Sequence, residues 1–428
     1  MIRLGFIAVL GAALLVGGFE MFLILGALAL ATKQLFFASL PDMVLIQKAV
    51  GSVNHSTLLA IPFFILAAEL MGDGQIARRL TDAMRAFLGH LPGGMGYTAI
   101  GGAMAFGSVS GSAPATVAAL GRLVYPEMRK EGFSEKFTLG LIASSAETAL
   151  LIPPSITMII YAWMTGTSVA ELFIAGLAVG VTLGLAFAIY TWWVARRSGV
   201  RGAAALPWGE RIRALGRAGW ALGMPIIIMG GIYSGMFTPT EAAAVSVVYA
   251  ILVEMVIYRS MGLGRLISVT QRAAVSTAVI FILLAIGGLV SYFITLAQVP
   301  ATIITFLNEV GAGPVIFLMT VNVAFFIAGM FIDPNSALLI LVPPLYPVAL
   351  AMGIDPIHFG MIVTLNITIG MITPPFGLDL FVASSTLRKP VLTIISGIWP
   401  FVGVNIIVLL IVTYIPEISL FLPRLVLG

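Results

Sequence analysis

Two short stretches of this sequence place small, hydroxyl-bearing, acidic and amide residues inside otherwise apolar surroundings. They are Gly107-Ser108-Val109-Ser110-Gly111-Ser112-Ala113-Pro114 and Gly329-Met330-Phe331-Ile332-Asp333-Pro334-Asn335-Ser336. Each is followed by an apolar segment interrupted at a diproline, in Leu150-Leu151-Ile152-Pro153-Pro154 and Met371-Ile372-Thr373-Pro374-Pro375. Proline removes a backbone donor and blocks the carbonyl four residues earlier, so a helix broken there leaves unpaired oxygens. Such oxygens, with hydroxyl and amide oxygens nearby, are the ligands a hard cation such as Na⁺ needs. Helix N-termini facing the same space would favour an anion. The candidates for a first Na⁺ site are Ser108, Ser110, Ser112, Ser145 and Thr148. Those for a second are Asp333, Asn335, Asn366, Thr368 and Thr373, with Pro153, Pro154, Pro374 and Pro375 as the break-forming residues. The alternative for any single hydroxyl is that it packs helices together and bonds back to its own turn. The clustering at two corresponding breaks supports the set more than any member.

Acidic residues inside apolar segments are costly and mark functional sites by default. Glu147 and Asp333 sit closest to the breaks. Glu69 lies near the end of its segment, where water or an arginine would meet it. Glu241, in Thr238-Pro239-Thr240-Glu241, reads as a charge at a helix N-terminus capped by Thr238 or Thr240. Glu20 stands alone in the first apolar block and has no assigned role. Cysteine is absent and the three histidines are scattered, which excludes disulfides, thiolate metal sites and a cysteine nucleophile. There is no HExxH, GxSxG or P-loop pattern, so the chain does not itself couple work to ATP hydrolysis.

These residues need elements to hold them, and composition says which kind. The chain has 428 residues, 60% hydrophobic and 9% charged, with a mean hydropathy of +1.10. Soluble chains carry roughly a quarter charged residues. The apolar residues form long blocks without period-2 alternation, which favours membrane-spanning helices over a barrel. Blocks able to cross about 30 Å of hydrocarbon lie near 4–31, 56–72, 138–166, 171–195, 219–237, 240–258, 274–297, 357–386 and 391–415. The first is expected as one retained helix and not as a cleaved leader. Regions 91–127 and 312–352 are apolar but broken at their polar centres. Each half reads as too short to cross comfortably, so both are expected as re-entrant helical hairpins.

Charge supports this division. With the hairpins not crossing, connectors 73–90, 122–136, 196–217, 259–272 and 388–389, together with Arg3, put 19 of the 22 basic residues on one face. Lys33, Lys48 and Arg424 fall outside. By the positive-inside rule that face is cytoplasmic, with the N-terminus on it and the C-terminus periplasmic. The connectors are no nucleic-acid patch. Segments Ile76 to Leu88, Ile212 to Trp220, Leu263 to Arg272 and Thr302 to Leu307 are amphipathic and suit helices lying in the interface; ordinary solvated connectors are the alternative.

The two polar regions are also related to each other. Tyr125-Pro126, Gly132 and Pro153-Pro154 match Tyr346-Pro347, Gly353 and Pro374-Pro375, always 221 positions apart. The same shift lays Phe106 on Ile327 and Ser110-Gly111-Ser112 on Phe331-Ile332-Asp333. Five expected spans separate the hairpins, so the second enters from the opposite face. This is an inverted repeat, an arrangement typical of secondary transporters with a midplane site.

Several segments resemble the large membrane subunit of TRAP (tripartite ATP-independent periplasmic) transporters. They are Leu59 to Met71, His90-Leu91-Pro92-Gly93-Gly94, Ser110-Gly111-Ser112, Gly230 to Ala242 and Ile372-Thr373-Pro374-Pro375. The resemblance implies a Na⁺-coupled importer of small organic anions, such as dicarboxylates, sialic acids or other sugar acids. It implies a periplasmic binding protein that delivers substrate and a small four-helix membrane subunit, expected as a separate polypeptide. It also implies an elevator, in which a transport domain slides against a scaffold braced by interfacial arm helices. Na⁺ is the only metal expected, with no other cofactor.

The expected product is an all-α polytopic protein of the bacterial inner membrane. Residues 1–72 are N-terminal scaffold helices, 73–90 an amphipathic arm and 91–170 a first transport repeat. Residues 171–311 are scaffold and arms, 312–390 a second transport repeat and 391–428 a C-terminal helix. Competing readings are a stand-alone ion/anion symporter, an intramembrane enzyme using Glu147 or Asp333, and a structural scaffold. The enzyme lacks a second catalytic group, and the scaffold does not account for polar breaks placed by symmetry.

Overall fold

A computed structural model describes residues 2–72 and 75–427. Asp73 and Gly74, at the start of the expected arm, lie outside the described residues, as do Met1 and Gly428. All regular structure among the described residues is helical. Among the described residues seven helices are long and apolar enough to cross a membrane, or up to nine if each of two sharply bent pairs counts as one span. Large apolar side chains remain exposed along several of them, including Val275, Val279 and Ile282 on the helix Leu263–Leu296. Such a face is stable in lipid and not in water.

Both polar regions fold as helical hairpins. In the first, Gly94–Ser110 and Ala113–Glu131 are separated only by Gly111 and Ser112; in the second, Pro314–Phe331 and Pro334–Ala351 are separated by Ile332 and Asp333. The arms of the second are 18 residues each, about 27 Å of helix. Length alone therefore does not confine them to half a bilayer, contrary to the expectation; only the polar turn marks them as different from ordinary spans.

Each hairpin leads into an interrupted helix. Glu135–Ser145 and Thr148–Leu151 stop before the first diproline and Ile156–Thr165 resumes after it, while Pro356–Ile372 and Leu378–Leu387 flank the second. Both diprolines contain a cis peptide bond. The sequence repeat extends to element boundaries. Ser110 and Phe331 end the first arms, Ala113 and Pro334 start the second arms, Glu135 and Pro356 start the broken helices, and Leu151 and Ile372 end them before the break, each pair 221 apart. The capping chemistry repeats too. Ser112 and Asp333 cap the second arms, and Ser134 and Asp355 cap the broken helices, all accepting backbone N–H bonds. Such side chains satisfy donors that a helix start cannot satisfy internally.

Small residues let these elements approach closely. A Cβ on Gly107 would lie 2.5 Å from Ala149 Cα, and one on Gly370 would lie 2.4 Å from Gly329 Cα. First-arm helices thus pack backbone to backbone on the broken helices in both units. The helix Val391–Tyr414 runs along Glu135–Ser145 through Gly140 and Gly397 in the same manner. Around this centre, Leu263–Leu296 packs on Met21–Phe36, Asp42–Val53, Ala60–Gly72 and Pro334–Ala351.

Three expectations change. The block 4–31 is not one helix. Ile2–Val16 and Met21–Phe36 fold back on each other across Gly17 to Glu20, with Gly18 at φ 73°, a conformation cheap only for glycine. Arg3 Nη1 donates to Leu35 O at 2.6 Å, so Arg3 and Lys33 share one end of the pair and cannot lie on opposite faces. The placement of the N-terminus with the basic connectors therefore has no support. Next, Ile212 to Trp220 and Leu263 to Arg272 are not separate interfacial helices but the first turns of Trp208–Tyr233 and Leu263–Leu296. At 34 residues the latter reaches about 51 Å, well beyond the hydrocarbon thickness. Finally, the tail is not one helix: Glu417–Leu427 is separate and packs on Val169–Ser198.

Candidate functional site

The hairpin turns meet the breaks. A Cβ on Gly111 (φ 57°) would lie 2.5 Å from the Pro154 carbonyl oxygen, so the first turn rests directly on the first diproline. In the second unit Phe376 N, just after the diproline, donates to Met330 O at 3.3 Å, joining the end of the first arm to the break. The rings of Phe331 and Phe376 pack beside that bond at 5.9 Å.

Both turns open on one cavity of about 590 Å³. Ser110, Gly111 and Ser112 reach it from one unit, and Asp333, Pro334 and Asn335 from the other. Leu150 and Ile156 flank the first break there, and Met371 and Leu378 the second. Ile65, Glu69, Arg272 and Ile280 also line it, as does Arg122 from the second arm of the first hairpin. Arg272 Nε meets Glu69 Oε2 at 3.4 Å, which answers what Glu69 does at its helix end. Arg122 is exposed and forms no ion pair among the described residues.

The expected ligands divide into two groups. Ser110, Ser112, Asp333 and Asn335 line the cavity, whereas Ser108, Ser145, Thr148, Asn366, Thr368 and Thr373 do not. Of the latter, only Ser108 is not fully buried. The hydroxyls of Ser108, Ser145, Thr148, Thr368 and Thr373 all donate to carbonyls three or four residues back. That bond uses the proton and leaves the oxygen able to accept. Asp333 Oδ1 accepts from Asn335 N at 3.0 Å and Ser336 N at 3.1 Å, and the Ser336 hydroxyl donates to Oδ2. Its first task is therefore to cap the second arm. Asn335 Oδ1 and Asn366 Oδ1 are buried with no partner. Asn366 Nδ2 donates to Asn322 Oδ1 at 2.7 Å, and Asn322 in turn to Thr413.

Two remaining acids fall where the residue types suggested. Thr238 and Glu241 form a reciprocal cap at the start of Pro239–Ile251. Glu20 sits in the turn preceding Met21–Phe36, where a negative charge suits a helix N-terminus. Asp379, Asn405 and Asn322 are fully or almost fully buried polar residues that sequence reasoning did not single out. The signal for Asp379 was present, since it follows the second diproline by four positions inside an apolar block.

Residues 7–418 match the family model described as tripartite ATP-independent periplasmic transporter, DctM component. The chain is 42% identical over 410 residues to the ectoine TRAP transporter large permease protein TeaC of Halomonas elongata, covering 96% of each chain. It is 41% identical over 386 residues to the C4-dicarboxylate TRAP transporter large permease protein DctM of Pseudomonas aeruginosa, covering 90% of each. Among solved structures it is similar to the YdaH transporter of Alcanivorax borkumensis, with a TM-score of 0.59 at 12% identity over 89% of this chain and 88% of that one, a likeness of fold alone. Paired hairpins, paired breaks and a sequence match across almost the whole length lead to one conclusion: the chain belongs to the DctM family, the large permease component of TRAP transporters.

Proposed function

We propose that this permease imports a small, carboxylate-bearing organic solute down a Na⁺ gradient, receiving it from a periplasmic binding protein and working beside a small membrane subunit. The observation that carries the reading is the single cavity onto which both hairpin turns open, with residues flanking both diproline breaks in its lining. Ser110, Ser112, Asp333 and Asn335 bring hydroxyl, carboxylate and amide groups to it, and Arg122 and Arg272 bring guanidinium groups. Oxygens suit Na⁺ and guanidinium groups suit a carboxylate, which Arg binds with two parallel hydrogen bonds.

The residues fit Na⁺ in a further respect. Asn335 Oδ1 and Asn366 Oδ1 are buried acceptors without donors, and an unpartnered buried acceptor is costly. Ser110, Ser112, Ser145 and Thr148 would hold one ion with the first break, and Asp333, Asn335, Asn366, Thr368 and Thr373 another with the second. Bound ions would draw each hairpin turn onto its break and shape the cavity for substrate. The 221-residue correspondence of boundaries and caps supports the reading as inverted repeats. Backbone-to-backbone packing within each unit, with Leu378–Leu387 on Ala113–Glu131 and Ile156–Thr165 on Pro334–Ala351 between them, supports their moving as one body against Leu263–Leu296 and its neighbours, an elevator stroke.

Relatives support the substrate class. Permeases similar to this chain are named for ectoine, for C4-dicarboxylates and, in Escherichia coli, for 2,3-diketo-L-gulonate. The similar isethionate permease of Oleidesulfovibrio alaskensis is named DctMQ, and this chain matches 65% of it. The test is uptake into proteoliposomes carrying permease and small subunit, with binding protein added outside. Uptake should require the inward Na⁺ gradient and stop when it is collapsed. Uptake indifferent to Na⁺ would overturn the coupling, and full uptake without binding protein would favour a stand-alone symporter.

A further inference from the structure

Three buried polar side chains that do not line the cavity carry more oxygen than the protein satisfies. Glu147, Asp379 and Asn405 are each 0% exposed. Asn405 Nδ2 donates to Glu147 Oε2 at 2.9 Å. Glu147 Oε1, both carboxylate oxygens of Asp379 and Asn405 Oδ1 have no protein partner. Leu378–Leu387, which carries Asp379, packs on both Glu135–Ser145 and Val391–Tyr414, and those two helices pack on each other; neither acid has an ion pair among the described residues. Ala146 and Leu380, next to the two acids in the chain, and Val402, one turn before Asn405, belong to one buried apolar cluster. An uncompensated carboxylate in such surroundings is among the costliest groups a folded chain can hold.

The repeat does not demand these acids. At the 221-residue shift Glu147 corresponds to Thr368 and Asp379 to Met158, so the pair is an addition to the symmetric scheme. Four unpaired oxygens from two carboxylates and an amide form a hard, anionic set. Among the described residues no group of three acidic or histidine side chains is placed to hold a metal, which argues against a divalent ion. Access lies close by, because Leu150 and Leu378, near Glu147 and Asp379 in the chain, line the cavity.

We propose that Glu147, Asp379 and Asn405 bind one additional Na⁺ at a carboxylate site separate from the hairpin turns. The ion would tie the first broken helix to the helix after the second break and to Val391–Tyr414, so its loading would couple the two repeat units. This rests on the Na⁺-coupled reading, and the test separates the two. Radiolabelled Na⁺ binding and the Na⁺-induced rise in Tm are measured on the purified full chain and on Glu147→Gln, Asp379→Asn and the double variant. The double variant should bind one Na⁺ fewer per chain and lose part of the Tm rise, with the remaining ions still bound. Asp379→Glu, which keeps the charge, should recover the stoichiometry. If wild type binds Na⁺ and the double variant binds equally many, the site is overturned while the coupling stands. It is equally overturned if the variants only shift the pH profile of uptake, which would mark a proton-holding pair. If wild type binds no Na⁺, both readings fail.

Discussion

At the level of single residues, Ser112 and Asp333 hold the same place in two halves of the chain and perform the same local task. Each caps the second arm of its hairpin at the edge of the cavity. Replacing either with Ala should cost about 1 kcal/mol through the lost cap. Asp333→Ser separates capping from ion binding, because serine caps nearly as well but carries no charge. Uptake by Asp333→Ser should show a raised half-saturating Na⁺ concentration with an unchanged Tm; an unchanged Na⁺ response would leave Asp333 as a cap only. Arg122 has the opposite character, exposed and without an ion pair among the described residues. Arg122→Ala should raise the KM for substrate by roughly 10- to 100-fold, about 1.5–3 kcal/mol of charge-assisted hydrogen bonding, measured with saturating binding protein. An unchanged KM would remove it from the substrate site. Ser110, Ser112, Asp333 and Asn335 were legible because each stands in a polar island within apolar sequence. Asp379 was passed over although its place four positions after the second diproline marked it as Glu147 was marked before the first.

At the level of elements, close backbone approach does what side chains do elsewhere. Gly370 meets Gly329 so tightly that an added Cβ would strike main chain, which cannot swing aside. Gly370→Ala should destabilise by about 1–3 kcal/mol, read as a lowered Tm in detergent. Gly111→Ala would suffer twice, from the positive φ and from the Pro154 carbonyl 2.5 Å away. It should insert and fold but lose most uptake, because the turn would be lifted from the break where Na⁺ is proposed to bind. Wild-type uptake by Gly111→Ala would contradict a tight turn-on-break contact. Hydropathy located the hairpins and breaks well, since proline and glycine punctuate them. It merged Ile2–Val16 with Met21–Phe36, because a turn of two glycines, a phenylalanine and one acid scarcely interrupts an apolar run. It also divided Trp208–Tyr233 and Leu263–Leu296 at their basic turns, where charge changes but helical backbone does not.

At the level of the whole molecule, two repeats that share boundaries 221 residues apart build one cavity between them. If they are inverted, the loops at the distal ends of the hairpins must lie on opposite sides of the membrane. The chain has no cysteine, so cysteines introduced at Gly132 and Gly353 can be labelled without background. A membrane-impermeant maleimide should reach them from opposite compartments; labelling of both from one side would refute the inversion and the elevator stroke built on it. Composition and spacing by themselves determined that the chain is helical and membrane-embedded, and that two matched polar interruptions stand within its apolar sequence. Those features are local or periodic, so they survive in a linear string. Only the tertiary structure decided that both interruptions open on the same space, that Glu69 and Arg272 pair at its wall, that Arg3 lies beside Leu35, and that Glu147 meets Asn405 across 258 positions of chain. Such meetings depend on which helix faces pack together, and in a sequence apolar on nearly every face no pattern of residues records that choice.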